Sequence, residues 1–238
     1  MNLKKCSTVS FLIFLTIPGF AKTKTSNKLL DDIRKPGFAA KAEKLQNKHE
    51  LNVSLVKFLN DKGLPDEIRY TCLITLARLN GKKSLPVVKK FFNNPSWMLR
   101  DAAIRSTAAL SGKQYRNDLE SRLSDPSLIV RTSAVDAIAH LGLKESAKKL
   151  TDALFFPANY HHDKPLWIHQ HIIDALLKLN APNTVSRLVD LLQKQKELTR
   201  QKQTIAALEK LTGKRFANKS VQEQVFLWRQ NLISEKTF

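Results

Sequence analysis

The sequence predicts an all-α solenoid of about five helix pairs, closed by a C-terminal capping helix. Three observations carry this prediction: an internal repeat of 31 residues, apolar stripes with the helical period inside each repeat, and only 7 glycines among 238 residues. Tight turns between strands often need glycine at positive φ, so this scarcity argues against an all-β fold. A fixed period of this length is typical of stacked supersecondary units.

The repeat is visible as columns of matching residue types. Arg69, Arg100 and Arg131 recur at intervals of 31 residues. One small column and two apolar columns keep the same intervals; they are Cys72, Ala103 and Ala134; Leu73, Ile104 and Val135; and Leu79, Leu110 and Leu141. Small residues let neighbouring helices approach closely, so we expect the small column to be buried and the Cys72 thiol to be inert.

Each unit contains two amphipathic stripes. Apolar or small residues follow the arginine with the spacing of a first helix, and positions 85, 88 and 92 repeat that pattern in a second helix. Gly81 and Gly112 are predicted to end first helices in a left-handed conformation. Ser96 and Ser127, each after a proline, are predicted to cap the next first helices.

The outer units deviate from the regular period. Leu179 lies 38 residues after Leu141, which places an insertion of about seven residues within 156–165. A degenerate first unit is predicted over 38–59, its first helix over 38–49, and a terminal helix with Trp228 over 220–232. We therefore predict one elongated domain over 38–238, because stacked pairs share a continuous core. A linker or short helix is predicted over 22–37.

The first 21 residues have the pattern of a secretory signal peptide. Lys4 and Lys5 precede an apolar run that ends at Ile17, and Gly19 and Ala21 are the small residues of a cleavage site. The run is shorter than the roughly 20 residues of a spanning helix, although an uncleaved anchor is the alternative. The sequence thus predicts an exported protein, periplasmic or extracellular.

Cleavage after Ala21 is a testable prediction. The intact mass of protein from the native host should place the mature N-terminus at Lys22, because small residues at the −3 and −1 positions direct cleavage there. Protein that keeps Met1 and is recovered from a soluble cytoplasmic fraction would contradict it.

The units at 65–79, 97–110 and 128–142 resemble HEAT-like repeats of the short type that is also found in phycobilisome lyases. The end of the chain, 211–216 with Trp228, looks like the last unit of exported bacterial HEAT-repeat proteins. The resemblance implies a right-handed α-α superhelix, second helices along the concave face, and seldom any catalytic residues. An acidic residue often partners the arginine in such repeats. Ser96 and Ser127 stand where we place it, so a continuous Asp–Arg ladder is not expected.

The arginine column has two interpretations. Its guanidinium groups either bond helix termini of the next unit, with their stems packed on the core, or form a stack that binds anions; we favour the first. Asp136 and Asp174 share a column with Arg105, and ion pairs between units explain them as well as acid–base chemistry would.

Charge bears on the kind of partner. The net charge is +19, with the lysines dispersed along the chain. Such a surface suits polyanions, and an anionic envelope polymer or lipid surface remains the alternative partner, whereas nucleic acid is not expected. Five basic residues lie off the stripes of the second helices and are candidates for a basic inner surface: Lys89, Lys90, Lys148, Lys149 and Arg187. Interspersed acids favour a protein partner.

The insertion holds the other candidate site residues. Phe156, Tyr160 and Trp167 are candidate contacts to a partner, since loops on a rigid scaffold often carry function; a tolerated surface loop is the alternative. His161, His162, Asp163 and His169 are candidate metal ligands. Their spacing argues against a site, because His169 and His171 point to different sides of a helix and His169 falls in the arginine column. We expect no metal and no cofactor.

The sequence favours a non-catalytic scaffold over an enzyme. It contains no GxSxG motif, Cys–His motif, P-loop or HExxH motif. The resemblance leaves an enzyme of lyase or DNA-glycosylase type as a less favoured alternative, and export argues against a genomic DNA substrate. The leading hypothesis is an exported scaffold that binds a protein of unknown identity.

Overall fold

A computed structural model describes residues 24–162 and 164–235, with side chains over 27–162 and 164–231. The predicted signal peptide and Asp163 lie outside the described residues. The α-helices are α1 Lys24–Arg34, α2 Phe38–Ala42, α3 Lys48–Asn60, α4 Asp66–Asn80, α5 Leu85–Lys89, α6 Trp97–Ala109, α7 Arg116–Ser121, α8 Leu128–Leu141, α9 Ala147–Ala153, α10 Ile168–Leu179, α11 Thr184–Lys194, α12 Leu198–Thr212 and α13 Val221–Glu235. Two short strands, β1 Tyr160–His161 and β2 Lys164–Pro165, form a hairpin.

The helices stack in two layers, and the predicted all-α solenoid is confirmed. The first helices α4, α6, α8, α10 and α12 each pack against the next, and α9, α11 and α13 follow one another in the second layer. The second helices α5, α7 and α9 have five to seven residues and are extended by 3-10 turns such as Gly81–Ser84 and Arg122–Ser124. In the described part of the chain, no helix combines the length and apolarity needed to cross a membrane.

The small column lies in the core, as predicted. Cys72, Ala103 and Ala134 are completely buried, and one cluster of buried apolar residues continues from Ile33 of α1 to Trp228 of α13. Burial raises the pKa of the Cys72 thiol to about 12, so the thiol is protonated and unreactive at neutral pH.

The prediction of a first helix over 38–49 is wrong in length. The helix α2 ends at Ala42, and α3 begins at Lys48. Residues 43–47 offer no apolar face to the core, and Leu45 is 45% exposed. A helix continued through these residues would therefore gain no stability from burial.

The predicted helix ends are also partly wrong. Gly112 has a negative φ, and the positive φ of 55° belongs to Ser111. Gly112 is needed for close packing instead, because a Cβ there would lie 2.8 Å from Thr107 Cγ2 and 3.1 Å from Leu85 Cδ2. Gly81 has φ 55° and ψ −142°, which is outside the left-handed helical region.

The two serines are positioned as N-caps but make no capping bond with their side chains. The polar residues two positions earlier hold these turns. Asn94 Oδ1 accepts a hydrogen bond from the Ser96 N–H at 3.0 Å, and Asp125 Oδ1 accepts one from the Ser127 N–H at 2.9 Å. These are Asx turns, in which a side-chain oxygen accepts from the backbone N–H two residues later.

The last helix covers the end of the stack. Trp228 of α13 is completely buried, and the Phe216 ring meets it edge-on at 5.1 Å between centroids. The helix packs on α11 and α12. It begins one residue after the predicted start and runs three residues past the predicted end.

Candidate functional site

The arginine column fixes the turns that precede the first helices. Arg100 forms a buried bidentate pair with Asp125, at 2.8 Å from Nε to Oδ2 and 2.7 Å from Nη2 to Oδ1. Its Nη1 also donates to the carbonyl oxygens of Asn94 and Pro95 at 2.8 and 2.9 Å. These contacts are the structural role that we favoured, and they leave the guanidinium little capacity for an external anion.

An acidic partner therefore exists, two residues before the serine where we placed it. Asp125 shares a column with Asn94, and both close an Asx turn. Arg69 pairs with Asp66 of its own helix at 2.9 Å, and Arg131 faces the neutral Asn159. Among the described residues of the column, Arg100 is thus the only arginine that pairs with a carboxylate of the next unit. This agrees with the expected lack of a continuous Asp–Arg ladder.

Arg131 anchors the insertion to the stack. Its Nε donates to Asn159 Oδ1 and its Nη2 to the Ala158 carbonyl oxygen, both at 2.7 Å. Asn159 is completely buried and also donates from Nδ2 to the Ala153 carbonyl oxygen at 2.9 Å. The Phe156 ring lies 5.7 Å from the Arg131 guanidinium carbon. The half-buried Phe156 thus packs on this buried anchor and does not line the cavity formed by the rest of the insertion.

The rest of the insertion forms one wall of a cleft. Tyr160 pairs with Pro165 and His161 with Lys164 across the hairpin, whose turn includes His162 at φ 44°. Between the hairpin, α10 and α12 lies a cavity of about 280 Å³. Its lining is Leu154, Phe155, Tyr160, Pro165, Leu166, Trp167, His169, Gln170, Ile173, Gln203, Thr204 and Ala206. We call this cavity the hairpin cleft; it brings together Tyr160 and Trp167.

The polar groups of the hairpin cleft are engaged by the protein itself. The Tyr160 hydroxyl oxygen lies 2.6 Å from the Leu154 carbonyl oxygen and 2.9 Å from Gln203 Oε1. Burial raises the pKa of Tyr160 to about 12, so the hydroxyl keeps its proton. The Tyr160 and His169 rings meet edge-on at 4.7 Å. What faces the open space is mainly apolar, and Trp167 at the rim is 52% exposed.

The candidate metal ligands that the structure describes do not form a metal-binding group. Both ring nitrogens of His169 lie against backbone carbonyl oxygens, Nδ1 at 3.1 Å from Leu166 and Nε2 at 2.9 Å from Leu154. Burial lowers the pKa of His169, although these two contacts act in the opposite direction. His169 is therefore corrected as a candidate ligand and has the structural role that its column predicts. His161 and His162 are exposed beside each other, and the described residues contain no group of three or more His, Cys, Asp or Glu that suits a metal ion.

The five candidate basic residues lie in the second layer and do not line the hairpin cleft. Lys89 lies 3.4 Å from Asp118 and 5.4 Å above the Tyr115 ring, and Lys148 lies 3.2 Å from Asp152. Lys90 and Lys149 are exposed, and Arg187 is half-buried. Acids thus neutralise part of this surface, as the sequence indicates.

A second, more polar groove lies between α6 and α8. Its volume is about 330 Å³, and it is lined by Arg105, Ala108, Ala109, Ser133, Asp136, Ala137 and His140. The buried carboxylate of Asp101 accepts hydrogen bonds from Arg105 Nε and Ser133 Oγ.

The aspartate column joins successive first helices. Asp136 of α8 lies 2.8 Å from His171 of α10, and Asp174 of α10 lies 2.6 Å from Lys210 of α12. Hydrogen bonds from Gln170 and Lys210 lower the pKa of Asp174. An ion pair between units is thus found for Asp174 and Lys210, Asp136 and His171 are joined by a hydrogen-bond contact, and Arg105 pairs within its own helix.

Comparison with known proteins agrees with this architecture. Residues 52–139 match the family model described as HEAT repeats. No curated protein gives a significant match. Among solved structures, an engineered protein is 17% identical at TM-score 0.47, with 79% of this chain and 89% of that chain covered.

Two natural structures are also similar. The complex of CpcE and CpcF of phycocyanin lyase from Nostoc sp. is 14% identical at TM-score 0.46, with 95% of this chain and 100% of that chain covered. Human deoxyhypusine hydroxylase in complex with glycerol is 17% identical at TM-score 0.33, with 86% and 88% covered.

Proposed function

We propose that this protein is an exported, non-catalytic HEAT-repeat scaffold that binds a partner protein at the hairpin cleft. The observation that carries the proposal is an apolar cavity with a half-exposed tryptophan at its rim, placed where an insertion interrupts the repeat. Buried aromatic anchors concentrate binding energy at protein interfaces, so Trp167 is the expected anchor.

The size of the hairpin cleft supports a peptide-like occupant. At about 280 Å³ it lies just below the roughly 300–1,000 Å³ of small-molecule sites. One or two apolar side chains of a partner would fill it. Tyr160, His169 and Gln203 have partners within the protein and give the cleft a preformed shape.

The lining of the hairpin cleft favours a protein over a bare polyanion, because no Lys or Arg is among the described residues that line it. The Arg200 guanidinium carbon lies 5.8 Å from the Tyr160 ring centroid, but its Nε is paired with Glu197 at 2.8 Å. A polyanion site would instead gather unpaired cations at the cavity, and its affinity would fall steeply with salt.

The first experiment compares point variants in capture of proteins from the envelope and medium of the native host. Trp167→Ala should weaken capture about tenfold or more, since it removes the expected anchor. Phe226→Ala is the control, because Phe226 is also an aromatic residue, is 59% exposed and does not line the cleft. Both variants should keep the helical circular dichroism of the parent chain.

Three outcomes of this experiment discriminate between the functions. Undiminished capture by Trp167→Ala contradicts the proposal. Capture that disappears near roughly 0.5 M salt supports the anionic polymer or lipid alternative, because salt at that concentration screens the attraction between surface charges. Turnover of a substrate that is lost with one side chain supports the enzyme alternative. Deleting 159–164 is a poorer test, because it removes Asn159 from the Arg131 anchor.

A further inference from the structure

A row of exposed apolar residues runs along the edge of the stack where the first helices begin. Trp97, Ile129, Trp167 and Leu198 are 41, 39, 52 and 52% exposed. They lie at the start of α6, α8, α10 and α12, four first helices that pack in succession. Half-buried Met98, Leu128 and Leu166 lie beside them. We call these seven residues the apolar edge.

The apolar edge recurs with the repeat and is not part of the core. Its members lie two or three positions before the residue of the arginine column in each unit, which is Arg100, Arg131, His169 or Gln201. The equivalent residues of α4 are the acidic Asp66 and Glu67, so the row begins at α6. Single exposed apolar residues are ordinary on protein surfaces, but a row repeated in four adjacent units indicates a contact surface.

The same edge carries uncompensated positive charge. Lys90, Lys164, Lys194 and Lys196 are exposed in or beside the turns that lead into the first helices, and they form no ion pair with any residue in 24–162 or 164–235. The acids of these turns that the structure describes are already paired, Asp125 with Arg100 at 2.7 Å and Glu197 with Arg200 at 2.8 Å. The positive ends of the helix dipoles add to this field.

We infer that the apolar edge docks an extended acidic segment of the partner protein with an apolar residue at every third position. Packed helices lie about 8–10 Å apart, so successive anchors of the edge have about that spacing. A polyproline II segment rises about 3.1 Å per residue with three residues per turn, so every third side chain returns to one face after about 9 Å. In a β-strand, side chains three apart point to opposite faces. The inference rests on the proposed function, since Trp167 belongs to both the hairpin cleft and the edge.

The test uses synthetic fluorescent peptides of about 12 residues, built from Leu-Glu-Pro triplets that put leucine on one polyproline II face. The control peptide has the same composition with irregularly spaced leucines. Fluorescence anisotropy should show at least about tenfold weaker binding of the control peptide, because it loses simultaneous contact with the anchors. A peptide with lysine in place of glutamate should also bind at least about tenfold more weakly.

Variants locate the peptide on the protein. Trp97→Ala and Ile129→Ala should each weaken the regular peptide about three- to tenfold, whereas Val53→Ala and Phe226→Ala, both 59% exposed outside the edge, should not. Equal binding of the regular and irregular peptides, or full binding by Trp97→Ala and Ile129→Ala, overturns the inference. Capture of the natural partner that is lost in Trp167→Ala but intact in Trp97→Ala and Ile129→Ala overturns the edge alone and leaves the hairpin cleft as the proposed site.

Discussion

Replacing Arg100 with leucine should destabilise the protein by about 3–5 kcal/mol, because the change leaves a buried carboxylate without its main partner. The side chain of Asp125 is completely buried, and its two short bonds to Arg100 would be lost. The remaining contacts to Arg122 Nη1 at 3.3 Å and to the Ser127 N–H at 2.9 Å replace only part of that stabilisation. Urea and thermal unfolding followed by circular dichroism measure the effect.

Two further variants isolate the cause. Arg105→Ala removes an arginine that also pairs with a buried aspartate, but its side chain is 54% exposed, so its loss should cost less than that of Arg100. The double variant Arg100→Leu with Asp125→Leu should recover part of the lost stability, because replacing both members of a buried pair by apolar residues removes the orphaned charge. Equal destabilisation by Arg100→Leu and by the double variant would contradict the account.

Ala103→Asp is expected to cost more than about 3 kcal/mol, since it places an uncompensated charge in the core. Ala103 is completely buried in the small column between α4 and α8, whose equivalent residues are Cys72 and Ala134. The carboxylate would find neither water nor a cation there. The expected result is a large fall in melting temperature, or a chain that fails to fold.

Lys90→Ala is the control for Ala103→Asp. Lys90 is exposed and off the apolar stripe, so its replacement should change stability by less than about 0.5 kcal/mol. Ala103→Ser, which adds one hydroxyl and no charge, should fall between the two. Equal melting temperatures for Ala103→Asp and Lys90→Ala would show that the small column is not buried between neighbouring helices.

The fold was predictable from the sequence because burial imposes a period. Leu73, Ile104 and Val135 are all completely buried, as their shared column indicates. Where packing does not decide, prediction was weaker. Residues 43–47 present no apolar face to bury, and the turn before α8 is held by Asp125, which accepts from the Ser127 N–H, and not by a cap from the Ser127 hydroxyl.

The candidate site was predictable only in part. Tyr160 and Trp167 lie in a visible insertion, and the arginine-like position of His169 predicted its structural role. Gln203 and Thr204 line the same cleft from α12, some forty residues away along the chain, and nothing near them in the sequence indicates that contact. The apolar edge was equally hard to detect, because its residues look like ordinary helix-start positions until their exposure is known.

Photo-crosslinking tests the central proposal most directly. A photoreactive phenylalanine derivative would be placed at position 167, at the rim of the hairpin cleft, and in a second variant at position 226, which is exposed but does not line the cleft. After irradiation in the native host, we predict one dominant protein adduct at position 167 that is absent at position 226. The same adduct should form when irradiation is repeated near roughly 0.5 M salt, because surface charges then attract each other only over a few ångströms. Adducts of equal yield and identity at both positions, or none at position 167, would contradict the proposal that the cleft binds a partner protein.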